Sequence, residues 1–168
     1  SDVCSSDLGI EMFADQKVFL VDSDAFFLRD PSQTLAYLDG AYCMGEDPMV
    51  RHIRGIDREI AERNAGVLFF GTTDSAHRRA IRDKFIENFR VLRPANDGPL
   101  LEQIAWTKTW HDLKSAGLSK ELPRELNWSY TWGRNDPKAI VLHEHGPQKW
   151  RNIPGVNPDS PAFNLFKP

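Results

Sequence analysis

The chain has 168 residues, 40% hydrophobic and 27% charged, an ordinary globular composition long enough for one domain with a real core. Its net charge of −3 gives no bulk reason to expect nucleic acid or an anionic membrane as a partner. No apolar run approaches the length of a membrane span.

The first eight residues, SDVCSSDL (Ser1–Leu8), show no periodicity. The codons TCA GAC GTG TGC TCT TCC GAT CT encode them, and that DNA resembles the end of a common short-read sequencing adapter. We therefore expect residues 1–8 to be non-native, with native sequence beginning near Gly9. Cys4 then drops out and Cys43 is left as the native cysteine, which excludes a disulfide framework and a thiol cluster for zinc.

Lys17–Val21 (KVFLV) predicts a buried strand that ends at two acids, Asp22 and Asp24. Asp30-Pro31 opens a turn, and Ser32–Leu38 predicts a short helix stopped by Gly40. Ala41–Gly45 predicts a strand running into a polar stretch, Glu46–Arg63, whose charges read most simply as a solvated loop. Ala65–Gly71 (AGVLFFG) predicts another apolar strand. The following helix has a capping residue near Asp74 and apolar Ile81, Phe85 and Phe89 at helical spacing. A further helix carries Leu101, Ile104 and Ala105 on one face, and Gly117 and Pro123 bound the next loop. Ala139–His143 (AIVLH) predicts a third buried-type strand.

Strands alternating with helices indicate an α/β domain. Only eight native residues, Gly9–Gln16, precede the strand that ends at the acids, whereas a nucleotide-binding α/β half needs several strands. The expectation is a partial domain over residues 9–168, with an N-terminal nucleotide-binding portion missing.

Buried carboxylates are costly unless something pairs with them. On a strand, residues i and i+2 face the same way, so Asp22 and Asp24 can converge on one divalent cation past the strand's carboxyl end. Alone, paired acids at a strand end read more simply as turn or surface residues. His143, at the end of its own apolar strand, adds an imidazole. Gly146 permits close backbone approach by a ligand, and Lys149 supplies a mobile cation. Two carboxylates, an imidazole and a lysine suit a diphosphate bound through Mn²⁺ or Mg²⁺.

These segments, in their order, resemble the retaining glycosyltransferases of the GT-A fold, particularly family 8. VFLVDSDAFFLRDP is similar to that family's Asp-X-Asp segment, and NAGVLFF to its Asn-Ser/Ala-Gly-Val strand. LLEQIAW resembles its Asp-Gln helix start, LPRELNW its Leu-Pro-x-x-x-Asn element, and HEHGPQKW its His-x-x-Gly-x-x-Lys-Pro-Trp. The matched elements span Val18 to Trp150. Two differences stand out: Glu102 replaces the usual Asp, and no Pro separates Lys149 from Trp150.

The resemblance implies a GT-A domain, here with an incomplete mixed sheet flanked by helices, in which Asp22, Asp24 and His143 bind Mn²⁺ or Mg²⁺. It implies that Gly146 and Lys149 meet the diphosphate of a nucleotide-sugar donor, a UDP-sugar being expected. Asn64, Ala65 and Gly66 would line the sugar or acceptor side, with Asn127 a further substrate contact. Glu102 and Gln103 would lie near the transferred sugar and carry the catalytic roles. The acceptor would be a glycan or another hydroxyl compound, in a cytoplasmic setting of polysaccharide or lipopolysaccharide assembly.

Two other readings start from the same residues. Haloacid-dehalogenase-like phosphatases also place Asp-X-Asp after an apolar strand, the first Asp acting as nucleophile. Their pattern continues with Thr close behind, whereas Ala25-Phe26-Phe27 follows here, and the strand where a later acidic pair would stand ends in His143. The third reading is an inactive truncated domain that binds a sugar or a partner protein.

Overall fold

The computed structural model of the chain describes residues 15–52, 59–95, 100–128 and 138–143. Its layers follow from a period of two in the apolar strands. In β1 (Val18–Val21), the first residues of β3 (Tyr42–His52) and the last of β4 (Glu59–Phe70), neighbouring side chains turn to opposite faces of one sheet. Val18, Tyr42, Met44, Leu68 and Phe70 enter one core with Ile81 and Phe85 of α2 (Ser75–Leu92) and Trp106 and Trp110 of α3 (Leu101–Lys114). Cys43, Val67 and Phe69 enter a second core with Leu38, Leu122, Leu126 and Val141. A sheet buried on both faces needs strands that are apolar throughout, which is why these read as continuous hydrophobic runs.

The sheet order is β1-β4-β3-β5, where β5 is Ser119–Glu121. β5 runs parallel to β3, and the other pairs are antiparallel. A second, two-stranded sheet pairs β2 (Ala25–Phe27) with β6 (Val141–His143), antiparallel. With α1 (Ser32–Ala36), the described residues form a mixed α/β structure with a mixed sheet and three α-helices. The class agrees with the expectation, but the helices do not divide evenly between the faces. Both long helices pack on the face of Tyr42 and Phe70. The opposite face lies against Val141 and Ala25 of the two-stranded sheet and Leu35 of α1.

Two expected loops are corrected. Much of Glu46–Arg63 continues β3 and β4 as the arms of a long antiparallel pair, with the register shifting between Glu46 and Val50. Pro48, which has no N–H to give to a ladder, lies in that irregular step. The polar composition masked a strand because Glu62 and Arg63 are buried through specific partners rather than by hydrophobicity. Likewise, the stretch between Gly117 and Pro123 contains β5.

Aromatic stacking welds α2 and α3 to the sheet. The rings of Phe85 and Trp106 stack with centroids 3.9 Å apart, and Trp106 meets Tyr42 and Phe70 at 5.5 and 5.9 Å. Burial of each such side chain contributes on the order of 2–3 kcal/mol. Arg78, at the start of α2, is buried and donates to the Thr72 carbonyl (2.7 Å) and the Gln16 carbonyl, tying the helix to the entry of β1. Among the described residues, no helix is long and apolar enough to cross a membrane.

Asp74 caps α2 by accepting from the backbone N–H groups of Ala76 (2.7 Å) and His77 (3.1 Å). The bonds from His77 and Ala76 hold its carboxyl below the usual carboxylate range. A group with a depressed folded-state pKa contributes stability above its unfolded pKa and loses it as the pH falls through the folded one. The wild type should therefore exceed Asp74→Asn in stability near neutrality, and the difference should shrink below about pH 4 in denaturant unfolding. A difference independent of pH would show that the charge plays no part.

Candidate metal centre

β1 stops at Val21, and the chain turns at once. The N–H of Asp22 donates to the Gly66 carbonyl (2.8 Å), and the N–H of Ala25 donates back to the Asp22 carbonyl (3.0 Å). Asp22 and Asp24 thus lie in the turn joining β1 to β2, not on a strand face. Their convergence comes from this turn rather than from the pleat. β2 then pairs with β6 so that Ala25 stands opposite His143. The register of the small sheet sets the histidine beside the acidic turn.

Asp22, Asp24 and His143 each offer one ligand atom, all within 4.8 Å of one another. His143 Nε2 lies 3.5 Å from Asp24 Oδ1 and 3.7 Å from Asp22 Oδ2. Ligand atoms bonded to one ion at about 2.1 Å stand roughly 3.0 Å apart when adjacent and 4.2 Å apart when opposed. Both distances to the imidazole fall between those limits. The carboxylate oxygens suit Mn²⁺ or Mg²⁺, and of the two Mn²⁺ is the one that tolerates an imidazole. A divalent cation here would also offset the mutual repulsion of two carboxylates. The side chain of Asp24 is 11% exposed and that of Asp22 is 62% exposed. The cluster is therefore walled on one side and open on the other, where a ligand's oxygen atoms can reach it.

The floor of the cluster is a bulge in β4. Between Met44 and Gly45 of β3, the partner in β4 steps from Leu68 to Asn64, so that Ala65, Gly66 and Val67 have no β3 counterpart. Bulges re-aim backbone and side chains in this way. The N–H of Ala65 donates to Gln103 Oε1 (3.3 Å), and that of Gly66 donates to Asn64 Oδ1 (3.0 Å). A Cβ on Gly66 would overlap His143 Cε1 and lie 2.5 Å from its Nε2 and 2.7 Å from Asp22 Oδ2. Only a residue without a side chain fits there.

Asn127 lies behind the histidine, fully buried at the end of the 3₁₀ turn Arg124–Leu126. Its Oδ1 is 3.0 Å from His143 Nδ1, and its Nδ2 donates to Asn64 Oδ1 at 3.3 Å. Gly45 makes room for it, since a Cβ there would lie 2.8 Å from Asn127 Nδ2. The N–H of His143 donates to the Trp128 carbonyl at 2.7 Å, so the residue after Asn127 holds the histidine's backbone.

Glu102 and Gln103 open α3, Glu102 in its first turn. Gln103 is fixed at both ends, accepting from Ala65 and donating through Nε2 to Glu62 Oε1 at 2.7 Å. Glu62, wholly buried, is a residue that sequence reasoning missed. Its two-residue spacing from Asn64 on one strand was the available signal. Of the sequence-derived candidates, the structure gathers Asp22, Asp24, His143, Asn64, Gly66 and Asn127 around one point. Ala65 and Gln103 join at its edge. Gly146 and Lys149 lie outside the described residues. Cys43 takes no part: burial pushes its thiol up to about 12, leaving it a protonated packing group at neutral pH.

No protein-family model and no curated protein matches the chain.

Replacing Gly66 with Ala should destabilise the chain by about 1–3 kcal/mol and weaken Mn²⁺ binding, because the added methyl displaces His143 or the β4 backbone. Denaturant unfolding and calorimetric titration with Mn²⁺ check this. Wild-type stability with wild-type affinity would show that the site has room the geometry denies.

Proposed function

We propose that the chain carries the metal-binding part of a GT-A glycosyltransferase related to family 8. Such an enzyme moves a sugar, with retention, from a nucleoside diphosphate donor to a hydroxyl acceptor. The observation that supports this best is the meeting of Asp22 and Asp24 with His143, two motifs far apart in sequence that the resemblance assigned to one metal. The mixed α/β architecture is compatible with the reading.

In this reading, Asp22, Asp24 and His143 hold Mn²⁺ or Mg²⁺, whose chemistry is Lewis-acid stabilisation of the leaving diphosphate. The exposed carboxylate of Asp22 leaves that side of the cluster accessible to a donor. Gly66 keeps the strand backbone tight beneath the cluster, so that the histidine cannot be displaced downward. Lys149 neutralises charge on the departing phosphate. The anomeric carbon acquires oxocarbenium character as its bond to phosphate breaks.

Gln103 is held by Glu62 and the Ala65 N–H, which suits a group that stabilises charge in a fixed position. A front-face attack guided by the leaving phosphate needs no protein nucleophile. The acceptor hydroxyl then passes its proton to the phosphate oxygen as the new glycosidic bond forms.

The test is donor turnover by the gene product that contains this chain, with a UDP-sugar and Mn²⁺. Asp24→Ala should lower turnover about 100-fold or more, as loss of a major charge-stabilising group does. Removal of the metal by chelation should act alike on the wild type. Unchanged turnover in Asp24→Ala would refute the metal assignment.

A further inference from the structure

We infer that Asn64 and Asn127 form a relay that fixes the tautomer of His143, placing its proton on Nδ1 and its lone pair on Nε2, toward Asp22 and Asp24. The functional consequence rests on the metal reading above; the tautomer itself does not.

The oxygen and nitrogen ends of an asparagine amide are alike in shape, so their partners decide which is which. The backbone N–H of Gly66 can only donate. It lies 3.0 Å from the Asn64 side chain, so the atom it meets is the oxygen, Oδ1. This N–H is available because the β4 bulge takes Gly66 out of register with β3. The same Asn64 oxygen faces Asn127 at 3.3 Å, and an oxygen there requires a donor opposite it. That end of Asn127 is therefore Nδ2, and its other end is Oδ1.

Asn127 Oδ1 lies 3.0 Å from His143 Nδ1. An amide oxygen can only accept, so Nδ1 carries the proton. A neutral imidazole has one N–H, and Nε2 is left as the acceptor. It is Nε2 that stands 3.5 and 3.7 Å from the two carboxylates. In the neutral ring, Nε2 and the two carboxylates offer lone pairs toward one point, where a cation can take them up. The order of bonds begins at a backbone group that cannot flip and ends at a metal-ligand lone pair.

Burial makes the relay decisive. Asn127 is 0% and Asn64 5% exposed, so bulk water does not offer competing partners. Asn64 and Asn127 act through His143, as positioning residues. Groups that orient metal-ligating histidines in this manner typically change metal affinity by about 10–100-fold when removed.

Nitrogen-detected spectra of the histidine rings in the metal-free 168-residue chain test the proposal, the His143 signals being identified by their loss in His143→Gln. Read above the pH at which the ring gives up its second proton, the expected pattern is the Nδ1–H tautomer. Asn127→Leu should give a mixed tautomer and about 10–100-fold weaker Mn²⁺ binding by calorimetry. Asn127→Asp keeps an oxygen facing Nδ1 and should restore the Nδ1 proton, while giving up the donor to Asn64 Oδ1. An Nε2–H tautomer in the wild type would overturn the relay, as would a wild-type tautomer in Asn127→Leu. If the leucine variant does not fold, the spectra of the wild type and Asn127→Asp decide. A wild type with the Nδ1–H tautomer that takes up no Mn²⁺ supports the relay and removes the metal reading. Mn²⁺ uptake by an Nε2–H form does the reverse.

Discussion

The backbone of Gly66 lies so close to the His143 imidazole that no side chain fits between them, and the arrangement of the site depends on that contact. Gly66 works with all of its backbone. Its carbonyl takes the Asp22 N–H, holding the first acid where β1 ends. Its N–H goes to Asn64, and through Asn64 the same residue governs Asn127 and the histidine ring. Three separate segments of the chain are thereby referred to one atom group. A methyl at this position would meet Asp22 as well as His143, so the two sides of the cluster cannot relax independently.

Such a contact is only possible on a rigid floor. β4 is gripped by β1 on one side and β3 on the other, and cores on both faces leave its apolar half no freedom to shift. The bulge at Ala65–Val67 is the one place where that strand leaves its β3 partner near the site, and side chains take up the released N–H groups. Unsatisfied, those two donors would each cost about 1–3 kcal/mol in a buried setting. The network of Glu62, Gln103, Asn64 and Asn127 is therefore structural necessity and site architecture together. On the other side, the two-stranded sheet of β2 and β6 carries the acidic turn and the histidine on neighbouring strands. Its register sets their separation.

Much of this was legible in the chain itself. The β-branched and aromatic runs ending at Val21, Phe70 and His143 announced strands, and the helical spacing of Ile81 and Phe85 announced α2. Asp22 and Asp24 stood out because carboxylates so close to apolar neighbours need a reason. What could not be read was anything fixed by partners distant in sequence. Arg63 looked solvated, yet its guanidinium stacks on Trp110 at 3.8 Å and pairs with Glu121. Glu62 looked the same and is buried against Gln103. Polar residues become strand interior only when such partners exist, and no local propensity reports them. Strand alternation predicts the convergence of Asp22 and Asp24, but a tight turn supplies it instead, because DSD permits both conformations. The bulge has no signal beyond Gly66, and the reason that residue must lack a side chain lies in His143, distant in sequence.

Two levels of organisation meet at this site. Locally, a turn, a bulge and a buried amide pair bring two carboxylates and an imidazole together with their donor atoms facing one another. That arrangement suits a divalent cation, reached from the open side of Asp22; in the proposed function the cation would be shared with a phosphate-bearing donor. The central claim is that Asp22, Asp24 and His143 hold one ion. Anomalous diffraction at the manganese absorption edge, from crystals grown with Mn²⁺, tests it most directly. The account predicts a single strong peak bonded to Asp22, Asp24 and His143 Nε2. An ion ligated by other residues, or no peak at this cluster under saturating Mn²⁺, would contradict it.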